Sequence, residues 1–435
     1  MALGDGSELI FCRDNHREPA RPTRYVGIGR AVATGSRPTT LGNLSSGLAK
    51  VRKLVSSWDM RAGPGPVDSI GFTASTLGAN LDSDLAAIDI SGTLQKQAWD
   101  DDVLPPVENL GQGLWSVPVP MPQSSLRYVL VYLLEQPSGV TLIDAGWDTE
   151  EAWAALNAGL GKAGYAITDV RSVLVTHIHP DHYGLAGRVR EASGAWIALH
   201  PADAEILPQR YMQMDGLLTT MRTHLLECGV PLEAIDSMRG ASMPVRGYVN
   251  AVLPDVLLED GDQPEVPGWQ LTAVWTPGHS PGHLCFYDAE RRLLMSGDHI
   301  LPRITPNISV HPQQTSNPLA DFLDALERVA GLEVDEVLPA HEYRFRNLAQ
   351  RIVQLRDHHE HRLSEVVAVL AAQPGATAWE ITVEMTWSRP WDEIQFWMRR
   401  AALGETLAHL IVLESRGVIR RTREIPQRWE LTGSS

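Results

Sequence analysis

Hydrophobic and polar positions follow three different rhythms along this chain. Residues 1–95 show no spacing that would give a helix or strand a buried face, because short apolar stretches are broken by Gly, Ser, Thr and Pro. That texture predicts a low-complexity or disordered extension, with too little apolar surface to offset chain entropy. From residue 96 the pattern tightens. An apolar run at 127–135, the turn Gln136-Pro-Ser-Gly139 and a second run at 140–144 read as a β-hairpin. Further strand-length runs stand at 171–176, 195–199, 271–275, 283–287, 293–296 and 335–338, with helical spacing at 149–164, 184–193 and 318–331. Strands interleaved with helices predict an α/β layered domain over 96–347.

Beyond 347 the strand signal fades, and 348–435 reads as a small, mainly helical domain. Thr377-Ala-Trp-Glu380 has the form of a capping box, in which the Thr hydroxyl and the Glu carboxylate satisfy free N–H groups at a helix start. Leu403, Leu407 and Leu410 share one helix face, and Gly417 stands where a C-terminal cap belongs. Short runs at 418–420 and 428–431 would add a hairpin beside these helices.

Charge sharpens this division. The formal net charge of −16 is distributed as +1 over residues 1–100, −17 over 101–350 and 0 over 351–435. An acidic central segment is poorly suited to holding polyphosphate, which needs Lys and Arg. No apolar run approaches the ~18 residues of a spanning helix, so no membrane partner is expected. The start carries no export-signal pattern. The first 61 residues are Arg-rich and acid-poor, a composition shared by transit peptides and by leaders without function; the second, plainer reading is taken. Three cysteines, Cys12, Cys228 and Cys285, form no C-x-x-C pair, which suits a reducing, cytoplasmic location. A bound metal would have to use imidazole and carboxylate.

Those groups are dense at Thr176-His-Ile-His-Pro-Asp-His-Tyr-Gly184, directly after the apolar run Val173-Leu-Val175. His177, His179, Asp181 and His182 fall within six positions on a loop leaving a strand, and N/O donor sets of this kind suit zinc and similar borderline metals. Later strand ends repeat the arrangement. Thr276-Pro-Gly-His-Ser-Pro-Gly-His283 supplies His279 and His283, Ser296-Gly-Asp-His299 supplies Asp298, and Leu338-Pro-Ala-His-Glu342 supplies His341.

This ordered set resembles the motifs of the metallo-β-lactamase-fold hydrolases over about residues 97–347, including the strand end Leu142-Ile-Asp-Ala-Gly146. The text around His279 and His341 looks most like the hydroxyacylglutathione hydrolase (glyoxalase II) branch, and the C-terminal segment resembles a winged-helix domain attached to one subgroup. The resemblance implies a four-layer αββα sandwich followed by a winged helix. It also implies two divalent metal ions, zinc or alternatively iron or manganese. His177, His179 and His279 would hold the first, Asp181, His182 and His341 the second, and Asp298 would bridge them opposite a hydroxide. Asp144 would orient a ligating imidazole from behind, unless it is a plain strand-end turn residue, and His283 would be supporting rather than ligating. Asp181 or Asp298 could pass the proton, and the sequence does not choose between them.

Within that resemblance, His179 stands where the oxygen-reducing diiron branch has Glu. Asp298 stands where secreted β-lactamases commonly have Cys, and the 43 positions from Asp298 to His341 leave no room for the inserted domain of cleavage-factor nucleases. Hydrolysis of a small thioester, ester or lactone is the first expectation. Metal-dependent cleavage of single-stranded RNA, with the winged helix binding nucleic acid, is the second. The basic cluster Arg416, Arg420, Arg421 and Arg423 fits that alternative or, more simply, a solvated wing. Residues 200–265 could cap the metals or pack as a surface excursion, and Tyr183 could face the pocket or the core. His358-His-Glu-His361 reads as a solvated helix face, and the tryptophans from Trp379 to Trp429 as packing.

Overall fold

The computed structural model describes residues 88–121, 124–212, 216–239, 247–312 and 317–433. The expectation for residues 1–87 lies outside them. The chain enters through β1 (Asp89–Ile90) and α1 (Thr93–Asp100). It continues through β2 (Glu108–Gly111), β3 (Leu114–Pro120), β4 (Tyr128–Gln136), β5 (Gly139–Ile143), α2 (Glu150–Lys162) and β6 (Val170–Leu174). The one-turn α3 (Pro180–Tyr183), α4 (Ala186–Ser193) and β7 (Trp196–Leu199) follow. Then come α5 (Pro201–Leu207), a π-turn at Pro208–Met212, α6 (Leu217–Glu227), α7 (Leu232–Arg239) and β8 (Val256–Leu257). Strands β2 to β8 form one sheet in chain order.

The second sheet is built from β9 (Leu271–Trp275), β10 (Leu284–Asp288), β11 (Leu293–Gly297), β12 (Glu336–Pro339) and β13 (Phe345–Arg346), with α8 (Pro318–Ala330) before β12. Its order is β1-β13-β12-β11-β10-β9, so the first strand closes the edge beside the last. The C-terminal region runs α9 (Leu348–Ala372), β14 (Ala376–Thr377), α10 (Ala378–Glu384), α11 (Phe396–Ser415), β15 (Ile419–Arg421) and β16 (Arg428–Leu431). Its three strands pair in the order β14-β16-β15. Among the described residues no helix is long and apolar enough to cross a membrane.

Strand β4 explains the layering. Side chains alternate across a strand, yet its residues from Tyr128 to Leu134 are all buried. Val129, Val131 and Leu133 face outward onto α2 and α4, against Leu156, Leu160 and Val189. Tyr128, Leu130, Tyr132 and Leu134 face inward and meet Phe286, Met295 and Leu338 of the other sheet. The second sheet covers its own outer face with α8 through Cys285, Leu294, Phe322 and Leu326. A strand covered on both faces reads as continuous apolar sequence. The result is helix, sheet, sheet, helix, the α/β sandwich expected.

Strands β2, β3, β8 and β13 stand where the sequence reading offered none, and two further stretches differ from it in placement. Residues 88–95, placed by composition in the extension, are built into the fold: Asp89 and Ile90 pair with Arg346 and Phe345. Gln95 is fully buried and donates to Ser116 Oγ at 3.0 Å. Two residues of strand and one turn of helix carry too little periodicity to be legible. A chain starting at residue 96 is therefore expected to unfold at a lower temperature than one starting at 87, since Ile88 alone contributes roughly 1.5–3 kcal/mol of burial. Equal midpoints in scanning calorimetry would contradict this.

The second difference is the histidine run on α9. His359 is buried, and its ring lies against Phe322 of α8 and His409 of α11. His359 therefore faces the seam between α8 and the C-terminal helices, while Glu360 and His361 remain exposed as expected. Local charge misled here because Arg362, in the same turn, is also drawn inward by Glu365 and Glu405. The capping box forms as expected, with Thr377 N–H donating to Glu380 Oε2 at 2.8 Å and Glu380 N–H to Thr377 Oγ1 at 3.2 Å.

Candidate metal centre

Parallel pairing of β5 with β6, and of β11 with β12, brings four strand ends to one rim of the sandwich. The loop after β6 is held first. Asp144, just past β5, accepts from Thr176 N–H at 2.7 Å and from the Thr176 hydroxyl. The same carboxylate lies 2.7 Å from His182 Nδ1. It thereby accepts a hydrogen bond from Nδ1–H and leaves Nε2 to face the rim. The one-turn α3 presents Asp181 and His182 together, both buried.

The later strand ends are held in the same way. His279 Nδ1 donates to the Asn307 carbonyl at 2.9 Å, and His341 Nδ1 to the Tyr128 carbonyl at 2.9 Å. His283 turns its ring behind Asp298: Nε2 accepts the Asp298 backbone N–H at 3.1 Å while Nδ1 donates to Thr276 Oγ1 at 2.8 Å. Gly297 makes that approach feasible, because its φ is +51° and a Cβ there would lie 2.7 Å from His283 Nε2.

Two groups result. His177, His179 and His279 form one, Asp181, His182, Asp298 and His341 the other, with donor atoms in each group within 4.8 Å of one another. Asp298 belongs to the second group by one oxygen and faces the first by the other. Its Oδ1 is 3.2 Å from His341 Nε2 and 3.5 Å from His182 Nε2, whereas Oδ2 is 3.3 Å from His279 Nε2. Asp181 Oδ2 is 3.2 Å from His341 Nε2. His182 Nε2, His279 Nε2, His341 Nε2 and Asp298 Oδ1 are all buried without a hydrogen-bond partner. Buried polar atoms are rarely left this way, and a convergent set of imidazole nitrogens and carboxylate oxygens is what a divalent cation satisfies. The residues fit a metal.

The bare cluster also predicts how an ion would enter. Burial opposes charge on His182 and His341, but the facing carboxylates outweigh it. They hold His182 well above the usual imidazole range, and His341 at about 10. Burial and neighbouring imidazoles push His177 and His179 well below it. Around neutral pH an incoming cation must therefore displace protons from the Asp181 side of the site. Binding should release protons and tighten as pH rises, which titration calorimetry in buffers of different ionisation enthalpy checks. No net proton release at pH 7 would contradict the arrangement.

The residue that sequence reasoning missed is Asp203. It is fully buried in the first turn of α5. Its Oδ2 accepts from Ile178 N–H at 2.9 Å and Ser280 Oγ at 2.8 Å, and its Oδ1 from Gly282 N–H at 2.7 Å. One carboxylate thus ties the loop carrying His177 and His179 to the loop carrying His279. In sequence it looks like an ordinary acid at a helix start, and no local signal reveals its partners. Tyr183 is a core residue, fully buried, whose hydroxyl donates to the Val252 carbonyl.

A family model described as Metallo-beta-lactamase superfamily matches residues 125–341. The crystal structure of a metallo-beta-lactamase family protein from Thermus thermophilus is 33% identical, covers 74% of this chain and 100% of its own, and superposes with a TM-score of 0.64. The chain belongs to the metallo-beta-lactamase superfamily. Among its superfamily relatives, the probable metallo-hydrolase YqjP of Bacillus subtilis is 25% identical over 67% of this chain and 89% of its own length. The human acyl-coenzyme A thioesterase MBLAC2 is 30% identical over 39% of this chain and 54% of its own. The protein is a superfamily hydrolase with side chains arranged to hold metal.

Asp144 supports that site from behind. Asp144→Asn should keep the fold but weaken metal affinity about 10–100-fold, the usual cost of losing a partner that orients a ligand. Competition with a metal-binding dye measures this. Unchanged affinity would make Asp144 a turn residue only.

Proposed function

We propose that this superfamily member is a dinuclear hydrolase of a small acyl thioester, ester or lactone, with zinc as the resident metal. The observation that carries the dinuclear reading is Asp298, whose two oxygens face different donor groups at 3.2 and 3.3 Å. His177, His179 and His279 would hold one ion, Asp181, His182 and His341 the other, with Asp298 between them. Divalent ions there would lower the pKa of water from ~15.7 towards ~7 and polarise the substrate carbonyl. In the balanced reaction water adds to the carbonyl carbon, the C–S or C–O bond breaks, and the leaving group departs with a proton as the carboxylic acid forms. Asp181 and Asp298 are the carboxylates among those donors, and one of them would carry the proton to the leaving group.

The acyl reading is supported by the glyoxalase II-like motif text, by the thioesterase named among the relatives, and by a net charge of −16. The RNA alternative rests on reading the C-terminal order helix, strand, helix, helix, strand, strand as a winged helix. Its arginines argue against that alternative. Arg416 pairs with Glu360 at 3.0 Å, Arg420 with Glu430 at 3.0 Å and Arg421 with Glu414 at 3.2 Å, which offsets the cationic surface that phosphates require. A panel of thioesters, lactones and single-stranded RNA, assayed on metal-loaded protein with and without chelator, tests the proposal. Chelator-sensitive acyl hydrolysis is expected. Salt-sensitive RNA cleavage without acyl hydrolysis would reverse it.

A further inference from the structure

Between β11 and α8, residues 298–312 contain no helix or strand, yet this segment meets the metal centre twice. Asp298 opens it, and the Asn307 carbonyl accepts from His279 Nδ1 at 2.9 Å. An irregular strap of this kind must find partners for its main-chain groups elsewhere. It finds them on the C-terminal helices.

Helix α9 supplies Arg351, which is only 3% exposed. Its Nε donates to the Leu301 carbonyl at 2.7 Å, and its Nη2 to the carbonyls of Arg303 at 3.0 Å and Ile304 at 2.8 Å. Nη1 is fixed by Gln354 of the same helix at 3.0 Å. One planar guanidinium thus gathers three strap carbonyls, a geometry that the compact ammonium of a lysine does not reproduce.

Helix α11 holds the other end. Val310 N–H donates to the Gly404 carbonyl at 3.1 Å, and Ser309 Oγ to the Ala401 carbonyl at 3.1 Å. Gly404 makes that contact feasible, because a Cβ there would lie 2.9 Å from Ser309 Cβ and 3.2 Å from the Val310 carbonyl oxygen. Between the two anchors, Ile300 and Ile308 are buried in the same apolar cluster as Leu355 of α9 and Leu403 and Leu407 of α11. Every candidate donor lies before residue 348, but the carbonyl that orients His279 is carried by a strap fastened beyond it.

We infer that the C-terminal region is a structural part of the metal centre, with Arg351 and Gly404 as positioning residues that act through the strap on His279 and Asp298. This rests on the metal-binding half of the reading above and is independent of the substrate. Partners that orient a ligand tune metal affinity without touching the ion.

The test is cobalt(II) titration of the full chain, followed by equilibrium dialysis and by the visible absorption of the bound ion. Gly404→Ala is the sharpest variant: alanine is the better helix former, so α11 itself is favoured while the strap is pushed away. Its affinity for at least one ion should fall about 10–100-fold, with a change in the cobalt spectrum, and Arg351→Lys should do the same. Ile419→Ala is the control. Ile419 is buried in the same cluster, but its backbone pairs with Leu431 rather than with the strap, so the substitution should lower the unfolding temperature and leave affinity and spectrum as in the intact chain. Unchanged affinity in both Gly404→Ala and Arg351→Lys overturns the inference, and so does an equal loss in Ile419→Ala, which would reduce the effect to general destabilisation. If the strap variants do not fold, hydrogen exchange on the intact chain decides. Cobalt should slow exchange of Val310 N–H, because coupling between strap and site runs both ways, and exchange unchanged at saturating cobalt would overturn the inference. Tight cobalt binding with the expected loss in Gly404→Ala, in a chain that hydrolyses no acyl substrate, would sink the proposed activity and leave the strap standing.

Discussion

Asp298→Ala is expected to reduce turnover by more than about 10³-fold while the protein stays folded, and His177→Ala to do the same. Losing a partner that merely orients a ligand typically costs about 10–100-fold, and these two residues stand closer to the chemistry. Asp298 faces both donor groups, so its removal should lower total metal content more than His177→Ala, which touches only the first. The fold should persist because neither side chain belongs to the three apolar clusters that hold the sandwich. Elemental analysis, circular dichroism and rate measurements on the same preparations check each part. Full activity in either variant, or equal loss of metal in both, would overturn the assignment of Asp298 between two ions.

Asp203→Ala should have the largest effect on stability, about 3–5 kcal/mol by denaturant titration. The substitution strands Ile178 N–H, the Ser280 hydroxyl and Gly282 N–H in a buried place, and an orphaned buried donor costs about 1–3 kcal/mol. It should also loosen both loops that carry the first donor group, so metal affinity should fall with stability. Asp203→Asn should cost less, since its one carbonyl oxygen can still accept from Ile178 and Ser280, but its amide would confront the Gly282 N–H. A cost under about 1 kcal/mol for Asp203→Ala would show that water replaces the carboxylate and that the tie between loops is dispensable.

These two substitutions mark different kinds of information. His177, Asp181 and Asp298 sit in local text: a strand-length apolar run followed by imidazoles or a carboxylate. Metal binding calls for those residue types whatever the rest of the chain does, so candidate donors could be named without coordinates. The hairpin at 128–143 and the capping box at Thr377 were legible for the same reason, since both depend on neighbours a few positions apart. Asp203 depends on partners 25, 77 and 79 positions away, and no spacing rule connects them.

The opposite error occurred on α9. His359 lies in a charged stretch whose residues would face solvent on an isolated helix, yet α8 and α11 cover that side. Burial is a property of what packs against a helix, which helical periodicity alone cannot report when the stripe is interrupted by charge. Residues 88–95 were missed because a two-residue strand is stabilised entirely by the edge it joins, here β13 from the far end of the domain.

Local chemistry thus pointed to the candidate donors, the layered α/β class and the longer strands from β4 onward. Tertiary packing decided which oxygen of Asp298 faces which group and which nitrogens of His182, His279 and His341 turn to the rim. Those outcomes depend on distances between segments far apart in sequence, 213 positions in the contact of His341 with the Tyr128 carbonyl, and chain connectivity does not encode such distances until the cores have closed.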